Sequence, residues 1–168
     1  MASLRIPVAE DLDEDIELLK RAFSTVGVNV PLHFVTDGQQ AIDYLKGEGA
    51  FANRAQHPLP TVMLLDLKMP VLGGFEVLEW LRVQPVLRLL VVVVFTSSAD
   101  QEDIQRGYEL GANSYLVKPS SFDKLLEIVR TLQDYWLSNN LSPDLLPPPT
   151  TAVLPARVTQ SFQPERRS

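Results

Sequence analysis

At 168 residues and 45 % hydrophobic content the chain suits one globular domain with a short remainder, and a wholly disordered polypeptide is excluded. The absence of cysteine removes disulfides and thiolate metal sites, and no apolar run approaches the ~20 residues of a membrane span. A net charge of −6 argues against nucleic acid as the direct partner, and with no charged-then-apolar leader at the N-terminus a cytoplasmic protein is expected.

Residues 4–9 form the first predicted strand, running into Glu10 and Asp11. Pro7 is awkward inside it, because proline lacks the N–H that a central strand uses. Asp11, Asp13, Glu14 and Asp15 suit a helix N-terminus, where the dipole favours anions, and Ile16, Leu19, Phe23 and Val26 keep helical spacing up to Gly27. Leu32 to Val35 is the second strand. Asp37 is placed to cap a second helix with Ala41, Ile42 and Leu45 inward, ending at Gly47 or Gly49. A long loop carrying Gly49, Pro58 and Pro60 follows over 48–60. Residues 61–70 read Thr-Val-Met-Leu-Leu-Asp-Leu-Lys-Met-Pro, a continuous apolar run of the kind found in strands buried on both faces. Pro70, Gly73 and Gly74 break the chain afterwards, so Asp66 stands at the carboxyl end of this third strand. Phe75, Leu78 and Leu81 mark a third helix, and Leu90 to Phe95 a fourth strand ending in Thr96, Ser97 and Ser98. Asp100 to Leu110 is a fourth helix closed by Gly111. Ser114 to Val117 is a fifth strand ending in Lys118-Pro119, and Ser121 to about Ser138 is the last helix, with Phe122, Leu125, Leu126, Val129, Leu132 and Trp136 inward. Five strands alternating with five helices imply an α/β fold, a parallel sheet covered on both faces and joined by right-handed crossovers.

After Asn140 the composition changes. Residues 143–164 hold six of the thirteen prolines and little periodicity, so 1–140 is expected to be the folded domain and 141–168 a disordered Pro-rich tail whose removal leaves melting unchanged. Pro147-Pro148-Pro149 could offer a polyproline II segment, although an unselected tail is the plainer account.

In a parallel sheet the strand ends share one rim, where open α/β sheets bind ligands. Glu10-Asp11, Asp66, Thr96-Ser97-Ser98 and Lys118 would therefore converge. Taken singly, each has a plain explanation as a helix cap or a solvated lysine. Together, three repelling carboxylates call for a hard divalent cation, and oxygen ligands point to Mg²⁺. A lysine and a hydroxyl at the same rim supply what a phosphoryl group needs, which makes Asp66 a nucleophile for phosphoryl transfer.

These residues lie in Val-Ala-Glu-Asp (8–11), Leu-Leu-Asp-Leu-Lys-Met-Pro (64–70), Phe-Thr-Ser-Ser (95–98), Gly-Ala-Asn-Ser-Tyr-Leu (111–116) and Val-Lys-Pro (117–119). With those segments the chain resembles the receiver domain of two-component response regulators over residues 4 to about 138. The resemblance implies the flavodoxin-like (CheY-like), doubly wound fold with strand order 2-1-3-4-5, an order known for this class of fold. It implies that Asp66 takes a phosphoryl group from a histidine kinase or a histidine phosphotransfer protein. It implies further that Asp11, Asp66 and the Lys68 carbonyl bind Mg²⁺ directly and Glu10 through water, that Thr96 and Lys118 contact the phosphoryl oxygens, and that Tyr115 is the switch aromatic. Tyr135-Trp136-Leu137 and the long loop before the third strand resemble the phytochrome-associated, single-domain subgroup. Pro7 and Gly73 depart from the family pattern, where a plain aliphatic and an acidic or amide residue are usual.

The expectation is thus a phosphoryl-operated switch and not an enzyme. It has no DNA-binding output and signals by protein contact. A homodimer through the fourth helix, fifth strand and fifth helix is a further expectation, because Ile104, Tyr108, Ile128, Tyr135 and Leu137 exceed what one buried stripe needs. The alternative is a pseudo-receiver scaffold that never carries phosphate, against which Asp66, Thr96 and Lys118 argue. An aspartyl phosphatase would need an acid where Lys68 stands. A nucleotide-binding domain would need a Gly-rich loop where the acidic run 10–15 stands.

Overall fold

Apolar strands and amphipathic helices alternate along residues 5–145, the span that this computed structural model describes. The strands are β1 (Ile6–Ala9), β2 (Leu32–Val35), β3 (Val62–Leu65), β4 (Val91–Thr96) and β5 (Ser114–Val117). The helices are α1 (Asp13–Val26), α2 (Gly38–Lys46), α3 (Gly74–Arg82), α4 (Gln101–Glu109) and α5 (Phe122–Leu132). All strand pairs are parallel, in the expected order β2-β1-β3-β4-β5.

The two-residue period of the strands sorts side chains into two layers. Ile6, Val8, Val62, Leu64, Val91, Val93 and Phe95 pack with Leu19 and Phe23 of α1 and with Leu125, Val129 and Leu132 of α5. Ala9, Val35, Met63, Leu65, Val92 and Val94 pack with Ala41, Ile42 and Leu45 of α2 and with Val77, Leu78 and Leu81 of α3. Each Leu or Val taken fully out of water contributes about 1.5–3 kcal/mol. β3 and β4 are buried at every position, so Asp66 and Thr96 are carried by the most firmly held part of the molecule. α4 buries only Gly107, which makes it the most lightly docked helix.

Pro7 sits inside β1, a central strand, and the register explains why it is tolerated. The N–H groups of Ile6 and Glu10 point to β2, donating to the carbonyls of Pro31 and Val35. The alternate position, Pro7, therefore faces β3, and the β1–β3 ladder begins only at Val8 opposite Leu64. The missing donor falls where no ladder bond is due.

Several boundaries differ from expectation. β1 begins at Ile6, and residues 1–4 lie outside the described span. β4 runs one residue later at each end than expected. Neither Glu10 nor Asp11 caps α1: Leu12 is the cap residue, with no side-chain bond. Asp37 does cap α2, its Oδ1 accepting from the Gln40 N–H at 2.8 Å. The last helix changes winding: α5 ends at Leu132 and Gln133–Asn139 continue as a π-helix, closed by the Asn140 N–H donating to the Tyr135 carbonyl at 2.7 Å. That wider turn brings Trp136 and Leu137 together onto the α1/α5 layer, where Ile128 also packs, while Tyr135 stays exposed. The apolar surplus expected on α5 is therefore partly a wider buried face.

Of the expected tail, residues 146–168 lie outside the described span, and so does the Pro147-Pro148-Pro149 segment. Residues 141–145 are described, and they do not behave as a free tail. Leu141 is exposed, but Leu145 is only 6 % exposed and belongs to the α2/α3 layer. Since α5 serves the opposite layer, the chain crosses beneath the amino ends of the strands, where Ser142–Leu145 and Pro58–Thr61 line a groove with Arg54.

Candidate functional site

Four strand ends meet at the carboxyl rim. Glu10 and Asp11 follow β1, Asp66 follows β3, Thr96 ends β4 and Lys118 follows β5. Glu10, Asp66 and Thr96 are 1 %, 5 % and 0 % exposed, which for two acids demands compensation. Lys118 supplies it. Its Nζ lies 2.6 Å from Glu10 Oε2, 2.9 Å from Asp66 Oδ2 and 2.8 Å from Asp15 Oδ2. Burial alone would depress the Lys118 ammonium, but Asp15, Glu10 and Asp66 outweigh it and hold the group above its ordinary value, so it is a fixed cation. Glu10 moves the other way. Its burial raises it, and the shared ammonium and the Leu12 N–H, which donates to Oε1 at 3.1 Å, offset that only in part.

Carboxylate oxygens of Glu10, Asp11 and Asp66 lie within 4.8 Å of one another. Asp11 Oδ1 is buried with no hydrogen-bond partner. An orphaned carboxylate oxygen beside two more hard oxygen donors fits a divalent cation of the Mg²⁺, Mn²⁺ or Ca²⁺ kind, and no thiolate or imidazole is in this group to favour a softer metal. Lys68 enters through its backbone: its N–H approaches Asp66 Oδ1 at 3.4 Å, while the side chain is exposed.

The loop after Asp66 is tightly built. The Gly74 N–H donates to the Leu67 carbonyl at 2.9 Å, and a Cβ on Gly74 would collide with the Asp66 carbonyl, so only glycine fits. Gly73 takes the cap position of α3 without a side-chain bond, as its identity leads one to expect. Val71 has φ of 65°, a left-handed conformation that a β-branched residue adopts only under constraint. It sits one residue beyond Pro70 and is exposed, while the next residue, Leu72, accepts from the Gly38 N–H at 2.9 Å.

Thr96 and Tyr115 lie on one face of the sheet. Tyr115 is registered with Val94, two residues before Thr96, and its ring joins the α2/α3 layer. The Tyr115 hydroxyl donates to the Ser98 carbonyl at 3.0 Å, and a Cβ on Gly107 would lie 3.2 Å from the ring, so Gly107 gives the tyrosine room against α4. Burial raises the phenol above its ordinary value, and it stays a donor. Ser98 is not a free cap: its hydroxyl donates to Asp103 Oδ2 at 2.6 Å.

The fold thus brings together Glu10, Asp11, Asp66, Thr96 and Lys118, the residues expected at the strand ends. Asp15 joins them unexpectedly, since in the sequence it is only one of several acids suited to the dipole of α1. The available signal was positional, since a helix starting three residues after Glu10 puts its first turn over the rim.

Residues 6–130 match the sequence profile of the response regulator receiver domain family. A probable methanogenesis regulatory protein of Methanothrix harundinacea, FilR2, is 38 % identical over 139 residues, 82 % of this chain and 86 % of its own length. The response regulator Rcp1 of Synechocystis is 33 % identical over 132 residues, 79 % of this chain and 88 % of its own. A solved Mn²⁺-bound form of Rcp1 superposes with a TM-score of 0.75 at 31 % identity, covering 84 % of this chain and 99 % of that one. The phosphorylated cyanobacterial phytochrome response regulator RcpA gives a TM-score of 0.77 at 34 % identity, covering 85 % of this chain and 100 % of that one. The chain belongs to the response regulator receiver domain family, whose members act in two-component signalling with histidine kinases or phosphotransfer proteins.

Proposed function

We propose that Asp66 is the phosphoacceptor of this receiver domain, taking its phosphoryl group from a phosphohistidine on a kinase or phosphotransfer protein. The observation that carries this is the pairing of a 5 %-exposed carboxylate with Lys118 at 2.9 Å, in cation-binding reach of Glu10 and Asp11. An Asp66 oxygen attacks phosphorus; the O–P bond forms as the N–P bond breaks, and the electron pair and a proton end on the imidazole. Lys118 follows the charge onto the phosphoryl oxygens, and the Thr96 hydroxyl donates to another. Asp11, Asp66 and the Lys68 carbonyl would hold Mg²⁺ directly and Glu10 through water; when bound, the ion offsets the charge that develops on phosphorus. The protein is a phosphorylated switch and not a turnover enzyme.

The output follows from Thr96 and Tyr115. When Thr96 turns toward the phosphoryl group, Tyr115 gains space on the same face and exchanges its bond to Ser98, which biases the lightly docked α4. The surface of α4, β5 and α5, with Tyr108 50 % and Val117 39 % exposed, is the dimer or partner face, and no nucleic-acid or membrane contact is invoked. The domain extends through Leu145, since that residue is buried, and the setting is cytoplasmic.

Intact-protein mass spectrometry with acetyl phosphate and Mg²⁺ tests the assignment. Wild type gains one phosphoryl group and Asp66→Asn gains none; equal labelling of the two overturns it. Millimolar Mg²⁺ also raises the melting temperature of wild type and not of Asp11→Ala, by mass action on the folded site.

A further inference from the structure

Lys118 has three N–H donors, and each meets a carboxylate carried by a different element. Glu10 comes from the end of β1, Asp66 from the end of β3 and Asp15 from the first turn of α1. Glu10 and Asp66 are buried, while the Asp15 side chain is 27 % exposed and closes the solvent side of the ammonium. Leu18 and Leu19 of α1 line a small cleft with Asp15, Lys118 and Pro119, so α1 flanks the segment that carries the lysine.

We propose that Asp15 is a positioning residue for phosphoryl transfer, acting by holding the Lys118 ammonium over Asp66. The inference rests on the reading of Asp66 as phosphoacceptor. With Asp66 a free carboxylate, all three N–H groups of Lys118 are taken. Once Asp66 becomes an acyl phosphate, its carboxylate charge is gone and one N–H turns to a phosphoryl oxygen. Glu10 and Asp15 keep the other two, so the ammonium stays in place through the transfer. Without Asp15 the third N–H goes to water, and the four-carbon side chain, held only from its buried side by Glu10 and the phosphoryl oxygen, is less firmly placed. Asp15 lies outside the group of acids that converge for a cation, so its effect runs through the lysine and not through metal affinity.

A double-mutant cycle on the phosphorylation rate constant tests this, with acetyl phosphate as donor, Mg²⁺ saturating and Asp66→Asn as blank. Asp15→Leu lowers the rate constant about three- to tenfold, the scale of one partly solvated charged hydrogen bond. Asp15→Asn, which keeps an acceptor oxygen, retains more of the rate than Asp15→Leu. In a Lys118→Ala background Asp15→Leu has no further effect on the rate and leaves the Mg²⁺ midpoint unchanged. An Asp15→Leu protein labelled at the wild-type rate overturns the inference alone, as does an equal fractional loss in both backgrounds, which would mark a structural role. Labelling of Asp66→Asn equal to wild type takes down the phosphoacceptor reading and this inference together.

Discussion

His33 and His57, the chain's two histidines, share one cluster with Tyr44 and Phe51. The two imidazoles lie 5.1 Å apart, His33 is 4.9 Å from Tyr44, and the Tyr44 hydroxyl donates to the Pro58 carbonyl at 3.1 Å. The rings pin the long loop before β3 onto α2 and β2. Arg54 completes the pin by donating to the carbonyls of Tyr44, Leu45 and His57. Burial first, then His57 and Arg5, lower the pKa of His33, and no carboxylate is among the causes. A histidine with a depressed folded pKa binds its proton more readily when unfolded. Its stability contribution is therefore full above the unfolded value, about 6.5, and is lost as pH falls through the folded one. Urea midpoints at pH 7.5 and 5.5 should fall on acidification for wild type and fall less for His33→Phe; parallel falls would exclude His33 as the cause. Comparing the two proteins cancels the opposite trend from Glu10, whose raised folded pKa costs stability as pH rises. Residues at this scale were legible when their neighbours in sequence announced them. Asp66 and Lys118 end apolar runs, whereas the four rings come from positions 33, 44, 51 and 57, which share no local pattern.

Elements were legible where burial is periodic and less so where a backbone detail decides. β2, β5 and the cap of α2 fall where the side chains put them, because alternation and an Asx cap are written in consecutive residues. The π-helix at Gln133–Asn139 has no such signature: Leu125, Val129, Leu132 and Trp136 fit an unbroken α-helix equally well. Arg82 shows the same limit. From the last turn of α3 it donates to the carbonyls of Arg88, Leu90, Leu110 and Gly111, tying α3 to the start of β4 and to the turn before β5. Gly111, at φ of 88°, leaves the space the guanidinium occupies. No carboxylate is among these bonds, so the arginine works as a fork of donors to backbone groups that otherwise lose their partners. Arg82→Met should cost about 1–3 kcal/mol in urea unfolding through those unpaired carbonyls. Arg82→Lys should recover little of it, because an ammonium cannot span the fork. Full recovery by lysine would mean that charge, and not geometry, is what matters there.

Across the whole molecule, the rim that carries Asp66 and the last described residues occupy opposite ends of the sheet. The α5 segment feeds the layer shared with α1, yet Leu145 is buried in the layer of α2 and α3, so residues 141–145 strap one face to the other under the amino ends of the strands. Composition points the other way: proline and a lack of periodicity suggest a dispensable tail, because a single buried leucine at the end of an extended run makes no repeat to detect. Replacing a buried leucine by alanine removes its transfer energy and leaves a cavity, about 2 kcal/mol at the low end of such changes. Leu145→Ala should then lower melting by about 4–8 °C at this chain length. Truncation after Asn140 should lower it too, and truncation after Leu145 should preserve the strap's share. Phosphoryl labelling of Asp66, at the other end of the strands, should be the same in all three proteins at temperatures where they are folded. Equal melting of the chains ending at Asn140 and Leu145 would show the strap to be passive, whereas a loss of labelling without a loss of stability would mean that the two ends of the sheet are coupled.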